Sequence, residues 1–510
     1  MKSEPTTYFL IGLLLLTMNS NGFQTIKKQP NIIYILADDL GFGEIGVQGQ
    51  QHIKTPNIDA LAASGMRFTN HYAGAPVCAP SRCVLLTGQH MGHAEIRGND
   101  GMKSRGDVWN YEKVSASPEL EGQRPMKAGT RTLANLLQEE GYKTGIFGKW
   151  GLGGPTTQST PNHMGFDEFF GYNCQRQAHN LYPAHLWHNN QKIKLNNTIY
   201  GHNTKLEADA DPKAIESYAL FTQKDYAPEK IHEAAINFIE TNKAEPFFLY
   251  YASPLPHLPL QVPEKEIEGY VYEFNNETPY LGNKGYLPCR YPKATYAAMI
   301  SYLDKQIGDL IKTLKAQGIY ENTVIMFSSD NGPTYTGGVN FTFFESSKPF
   351  KNGHRFTKGS LNEGGIRVPF IVSWPGYIQS GTTSDHLSAF YDVLPTICDI
   401  TGIKTSIKTD GISFKNTLLG QPQAKHDFLY WEFHGQGGQQ AIRIGPWKGL
   451  IKNMHKGNTE LKLYNLVQDT LESNNLASKH PEIVNKMHMI IQREHKTSPY
   501  TNFHIKVLGD

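Results

Sequence analysis

Asn31–Ala37 (NIIYILA) is an unbroken apolar run that stops abruptly at Asp38-Asp39-Leu40-Gly41. A run this short and apolar throughout reads as a strand buried on both faces, because a half-exposed strand would alternate with polar residues. Similar runs recur at Lys143–Lys149, Pro246–Ser253, Thr323–Ser329 and Val368–Trp374. Helical signals lie between them. Thr130–Glu140 begins with Thr and is stopped by Gly141. Beyond Tyr296, the residues Ile300, Leu303, Ile307, Leu310, Ile311 and Leu314 recur at helical spacing until Gly318. Strands alternating with helices predict an α/β fold, a large and mostly parallel sheet flanked by helices.

The texture changes after Ile403. Phe428–Phe433, Gln440–Ile444, Trp447–Lys452 and Leu461–Leu466 are short strand-like runs close in sequence, and Pro481–Lys496 is helical in pattern. They predict a smaller C-terminal antiparallel sheet plus helix over residues 404–510, packed on a main α/β domain of residues 25–403. The polar stretch Asn173–Asp225, rich in Asn and His and with little periodicity, reads as an elaborated loop near the mouth of the site.

At the N-terminus, Lys2 precedes the apolar stretch Tyr8–Leu16 and a small polar segment. That is the layout of a secretory signal peptide, assigned to residues 1–24, and it predicts export to a periplasm or the extracellular space with no stable membrane span after cleavage. An uncleaved anchor is the competing reading. The 510 residues carry a formal net charge of +2, which gives no electrostatic case for nucleic acid as a partner. An anionic substrate needs a local site instead. The five cysteines (Cys78, Cys83, Cys174, Cys289, Cys398) match neither a zinc site nor a disulfide scaffold, and their odd number leaves one to explain.

In open α/β sheets, ligands bind beyond the carboxyl ends of the strands. The first strand ends in Asp38-Asp39, and Thr323–Ser329 ends in Asp330-Asn331. These side chains form an all-oxygen set suited to a hard divalent cation, calcium first; each Asp alone would equally serve as a turn residue. Lys149 ends another strand, His257 follows Pro246–Ser253, and Lys358 lies in a loop before Val368. Cys78-Ala79-Pro80-Ser81-Arg82 places a cysteine at the start of a helix, where free N–H groups and the dipole favour an anion. A buried core cysteine and a Cys78–Cys83 disulfide are the structural alternatives.

CAPSRCVLLTG resembles the C-x-P-S-R signature of the formylglycine-dependent type I sulfatases of the alkaline phosphatase superfamily. The resemblance extends in order through NIIYILADDLG, GYKTGIFGKW, ASPLPH, SSDNG and KGSLNEGGIRVP, over most of residues 30–400, and the C-terminal WKGLIKN…LYNLVQDTLESNNLA is similar to that family's small domain. It implies an alkaline phosphatase-like fold and a sulfuric ester hydrolase. It implies that a formylglycine-generating maturation enzyme oxidises Cys78, and that the hydrate attacks sulfur to give a sulfated hemiacetal. Asp38, Asp39, Asp330 and Asn331 would bind Ca2+ together with the Cys78 group, and Arg82 would orient the hydrate. Lys149 and Lys358 would neutralise the sulfate, and His257 would serve the leaving oxygen. One position departs from the family: GKWHLG is common there, whereas Gly151 stands in the histidine's place here, and His179 or His188 is a candidate substitute.

Arg97, Asn99, Arg176, His179, Tyr182 and His434 lie in stretches expected to line the pocket. Polar and aromatic groups of this kind suit sugars. The expected substrate is therefore a sulfated carbohydrate of the galactose or N-acetylgalactosamine type. The alternatives are a phosphomonoester or phosphonate hydrolase of the same superfamily, and a non-catalytic protein that binds sulfated glycans.

Overall fold

The computed structural model describes residues 29–102, 105–350, 353–405 and 407–510. The predicted signal peptide lies outside the described residues. Among these, the strands up to the middle of the chain are β1 (Asn31–Ala37), β2 (Met66–Phe68), β3 (His71–Tyr72), β4 (Lys143–Lys149), β5 (Glu168–Tyr172), β6 (His185–His188), β7 (Gln191–Lys194) and β8 (Phe247–Ala252). They are followed by β9 (Thr323–Ser329), β10 (Phe370–Ser373), β11 (Thr382–Ser384), β12 (Ser388–Ala389), β13 (Leu429–Phe433), β14 (Gln439–Ile444), β15 (Trp447–Lys452) and β16 (Lys462–Asn465).

Ten strands form one sheet in the order β11-β2-β10-β9-β1-β8-β4-β5-β6-β7. Its centre, β9-β1-β8-β4-β5, is parallel throughout. Alternation along β1 explains why its sequence had to be apolar throughout. Ile32, Tyr34 and Leu36 enter the layer on one face, and Ile33, Ile35 and Ala37 enter the layer on the other. Helix Pro292–Ala316 covers the second face. Pro292 suits its first turn, and Gly318, at φ 69°, follows its end. Leu303 and Ile307 are fully buried there, so truncating either to Ala costs about 2–5 kcal/mol. Helices Cys78–Thr87 and Val393–Thr401 pack on the opposite face.

The small sheet is an antiparallel meander, β13-β14-β15-β16. Leu429, Trp431 and Phe433 point into the layer shared with the main sheet, whereas Tyr430, Ile442 and Ile451 meet Met487, Ile490 and Ile491 of helix Pro481–Glu494. The Trp431 indole N–H donates to the Ala73 carbonyl at 2.9 Å, fixing the small sheet behind helix Cys78–Thr87.

The structure corrects the sequence reading in three places. The stretch read as a loop, Asn173–Asp225, contains β6 and β7, an antiparallel hairpin that extends the main sheet. Each strand is only four residues long and β7 is largely exposed, so the period-2 signal is too short to read. The helix expected from Thr130 starts at Leu133, because Thr132 is the cap: its hydroxyl accepts from the Asn135 N–H. The run at Val368–Trp374 forms a strand only over β10, and it runs antiparallel to β9 and β2.

Candidate active site

The parallel strands deliver their side chains to one edge of the sheet. Beyond β1, the Asp38 N–H donates to the Leu255 carbonyl at 2.9 Å, and Asp39 turns into the left-handed region at φ 68°. This turn lets the Asp39 N–H donate to Asp330 Oδ1 at 3.2 Å, while the Leu40 N–H reaches Ser329 Oγ at 2.9 Å. The ends of β1 and β9 are thereby locked together. Cys78 opens a helix that runs to Thr87, with Pro80 in its first turn and Gly88, at φ 67°, closing it. Gly148 holds φ 127° within β4, and a Cβ there would stand 1.9 Å from the Ala252 carbonyl. Only glycine allows β4 to bring Lys149 this close to the end of β8.

Cys78 Sγ lies 3.4 Å from Asp38 Oδ1 and 3.9 Å from Asp39 Oδ1. Lys358 Nζ donates to Cys78 Sγ at 3.2 Å and to Asp39 Oδ2 at 2.9 Å, and Lys149 Nζ pairs with Asp38. Arg82 donates Nε and Nη2 to Asp330 Oδ2 at 3.1 and 2.9 Å, and its Nη1 to the Lys149 carbonyl at 2.8 Å. The structure thus brings together Asp38, Asp39, Cys78, Arg82, Lys149, His257, Asp330, Asn331 and Lys358. All but Lys358 are at most 3% exposed.

The electrostatics follow from that crowding. Burial alone would raise the Asp38 carboxyl, but Lys149, His257, Arg82 and Lys358 hold it far below the usual range. Burial and the neighbouring Asp38 charge push Asp330 up, against Arg82. Burial and the adjacent Asp38 push the Cys78 thiol up to about 12. The unmodified thiol is therefore neutral at ordinary pH and a poor nucleophile. His257 is lowered to about 4 by burial and by Lys358, and its Nδ1 sits 2.7 Å from the Leu258 carbonyl. That contact assigns the proton to Nδ1 and leaves Nε2 bare, 3.6 Å from Asp39.

The donors fit a hard divalent cation. Asp38, Asp39 and Asp330 contribute carboxylate oxygens, and Asn331 Oδ1 is buried without a hydrogen-bond partner among the described residues while its Nδ2 donates to Asp39 Oδ1 at 2.8 Å. An orphaned carbonyl oxygen among carboxylates is what oxygen coordination requires. Asp38, Asp39, Cys78 and His257 also form a group whose ligand atoms lie within 4.8 Å of one another. No disulfide involves Cys78 or Cys83: all five cysteines are free and buried.

The residues expected to line the pocket separate into two groups. Arg176 and His179 stay near the centre. Arg176 lies over the Trp109 ring at 4.8 Å, and the His179 ring is 4.7 Å from that of His257 and stacked on Tyr286 at 5.3 Å. Asn99 accepts from the Ala79 N–H at 3.0 Å, so it satisfies a free donor in the first turn of helix Cys78–Thr87. Arg97 and Tyr182 are turned into the protein, whereas His434 lies beside Gly98, where a Cβ would stand 2.2 Å from its Cε1, and its Nδ1 is buried without a hydrogen-bond partner among the described residues. Arg97 commits its guanidinium to Glu432 and to the Ala94 and Gly92 carbonyls. Tyr182 is core, packed on Tyr226 at 5.1 Å, and His434 packs on Phe503 at 5.0 Å. His188 lies at the sheet edge, 3.6 Å from Glu168, and is no substitute at Gly151.

Three residues that sequence reasoning passed over also belong here. Tyr286 and Trp109 build the aromatic wall around His179 from loops without periodicity, so no local signal marks them. Gln175 lies beside Gly151, where a Cβ would stand 3.2 Å from its Oε1. Its position next to Arg176, three residues after the end of the β5 ladder, was the available hint.

The family model described as Sulfatase matches residues 30–403, and that described as N-sulphoglucosamine sulphohydrolase, C-terminal, matches residues 353–497. An N-acetylgalactosamine-6-O-sulfatase from Bacteroides thetaiotaomicron is 29% identical, over 95% of this chain and 97% of its own. Arylsulfatase A from Bos taurus is 30% identical over 82% of this chain and 74% of its own. Among solved structures, Ps i-CgsB superposes with a TM-score of 0.72 at 27% identity, covering 94% of this chain and 96% of that one. The buried Cys78, its basic and acidic partners and these matches converge on one assignment: the chain belongs to the sulfatase family and is a sulfuric ester hydrolase.

Proposed function

We propose that the chain hydrolyses sulfate monoesters of carbohydrates, with Cys78 oxidised to formylglycine by a maturation enzyme and Ca2+ held by Asp38, Asp39, Asp330 and Asn331. The observation that carries the reading is the position of Cys78 Sγ, within 3.9 Å of Asp38, Asp39 and Lys358, in a thiol form unsuited to attack. When present, the formylglycine hydrate supplies a nucleophilic hydroxyl and a second hydroxyl for release, and the cation supplies charge for the sulfate oxygens. The other residues act directly. Lys149 and Lys358 offset the negative charge of the ester, and their short reach into a water-poor site strengthens that effect. Arg82 fixes the Asp330 carboxylate. His257 turns its bare Nε2 toward the site, where it can take up a proton and pass it to the leaving oxygen.

The carbohydrate assignment draws support from similar proteins, one an N-acetylgalactosamine-6-O-sulfatase, and from a structure of Ps i-CgsB in complex with k-i-k-neocarrahexaose that is 27% identical. In this reading residues 25–403 carry the chemistry and residues 404–510 support it. Export follows from the apolar segment near the N-terminus, and no helix among the described residues is long and apolar enough to cross a membrane. The test is peptide mass with turnover. Conversion lowers the Cys78 peptide by about 18 Da, from CH2SH to CHO, and the converted protein releases sulfate from a 6-sulfated N-acetylgalactosamine. A Cys78→Ala variant that kept its rate, or faster turnover of an aryl phosphate than of the aryl sulfate, would overturn the proposal.

A further inference from the structure

The loop that leaves β5 carries more unpaired polar atoms than its packing accounts for. Asn173 Oδ1, Arg176 Nε, His179 Nδ1 and both amide atoms of Gln175 are buried without a hydrogen-bond partner among the described residues. Gln175 is 1% exposed. Its side chain lies against Gly151, whose φ is 77°; a Cβ there would stand 3.2 Å from Gln175 Oε1 and 3.5 Å from its Cβ. The Gly151 N–H donates to the Asn173 carbonyl at 3.1 Å, and the Trp150 N–H donates to the Tyr172 carbonyl at 2.9 Å. The loop is therefore held in register with the end of β4. The amide of Gln175 occupies the space a side chain at 151 would take, two residues past the lysine that pairs with Asp38 beside Cys78.

A buried amide with both ends unpaired needs a donor and an acceptor together. No single charged side chain meets both needs. Carboxylates only accept and ammonium groups only donate, and Asp38, Lys149, Arg82 and Asp330 are already engaged with one another. A hydroxyl next to an oxyanion supplies both needs. We infer that Gln175 is a positioning residue of the reacting centre, its Oε1 accepting from a hydroxyl on the oxidised Cys78 side chain while its Nε2 donates to an oxygen of the bound sulfate. The inference rests on the proposed oxidation of Cys78. It assigns the space left open by Gly151 to an amide from the neighbouring strand end, and the absence of a Cβ at Gly151 lets that amide enter.

The experiment compares the wild type with Gln175→Leu and Gln175→Glu, each produced with a maturation enzyme and checked for conversion by the mass of the Cys78 peptide. The substrate is 4-nitrophenyl sulfate, which has no sugar hydroxyl to read. We expect kcat to fall about 30-fold or more with KM changed by less than about 3-fold, the signature of an interaction used mainly in the transition state. Gln175→Leu is expected to melt no lower than the wild type, because an apolar side chain replaces an unpaired buried amide. Inorganic sulfate is expected to raise the melting temperature of Gln175→Glu less than that of the wild type, since the donor is replaced by a negative charge. A wild-type kcat on the aryl sulfate in either variant overturns the inference, because a residue that reads only the sugar would behave that way. A lower melting temperature with kcat intact overturns it too, and identifies the amide as bonded to structural water. Cys78→Ala separates the two proposals: activity there removes the proposed function itself, whereas wild-type activity in Gln175→Leu removes only the role of Gln175.

Discussion

Replacing Arg82 with Met tests whether the centre is held together by charge pairing. Arg82 is 1% exposed, and its guanidinium supplies two hydrogen bonds to Asp330, a carboxylate that is fully buried. Methionine keeps most of the aliphatic stem and leaves Asp330 without its cation. Removing one member of a buried ion pair costs about 3–5 kcal/mol, because the remaining charge stays desolvated. The unfolding entropy scales to about 1 kcal/mol per kelvin for a chain of 510 residues. The melting temperature in chelator is therefore expected to fall by about 3–5 °C. A second variant isolates the cause: adding Asp330→Asn to Arg82→Met removes the stranded charge and is expected to recover at least half of the loss. Scanning calorimetry in EDTA provides the measurement. If Arg82→Met melts within 1 °C of the wild type, or if the double variant is no more stable than the single one, the reasoning about the buried pair is wrong.

Gly148→Ala puts a Cβ 1.9 Å from the Ala252 carbonyl at φ 127°, so a loss of roughly 3 kcal/mol or more and poor soluble yield are expected; wild-type melting would contradict it. Calcium at about 100 times its dissociation constant is expected to stabilise the protein by about 2.7 kcal/mol, seen as a melting shift of about 2–3 °C that EDTA reverses and Asn331→Leu diminishes. Glu494 is held at about 2, chiefly by its hydrogen bond with His90 at 3.2 Å. Because a depressed carboxylate contributes stability above its ordinary value and loses it as pH falls toward the folded value, the advantage of wild type over Glu494→Gln is expected to shrink between about pH 5 and pH 2. Urea denaturation across that range decides it, and a constant difference would refute the assignment.

The parallel centre was legible because β1, β4 and β9 each carry an apolar middle (IIYIL, GIF and VIMF), and burial on both faces leaves few other sequences available. Their ends were legible for the same reason: polar residues placed where an apolar strand stops must face something other than the core. The hairpin β6–β7 was not legible, since four residues hold barely two periods and the edge needs no apolar second face. Arg97 and Tyr182 turn inward for a different reason. Residue type does not encode which way a loop side chain turns, and each of the two found protein partners inside the fold. Gln175 shows the reverse case, an amide that gains meaning only when its unpaired atoms are seen.

Lys358 reaches Asp39 and Cys78 from a loop that is fastened at several points. Its own N–H donates to the Pro333 carbonyl, and the Gly359 N–H donates to that of Pro76. Gln439, at the start of β14, then grips the same turn from behind, donating to the Gly359 carbonyl at 2.8 Å and accepting from the Leu361 N–H at 3.1 Å. The ammonium group beside Cys78 is thus set by a strand encoded some eighty residues downstream. A chimera that exchanged the small sheet for that of a relative would retune the enzyme as well as its surface. Truncation before β13 would release the lysine together with the support behind it. The C-terminal fifth of the chain is better regarded as the frame that aims one buried charge at Cys78 than as an appendage to be trimmed.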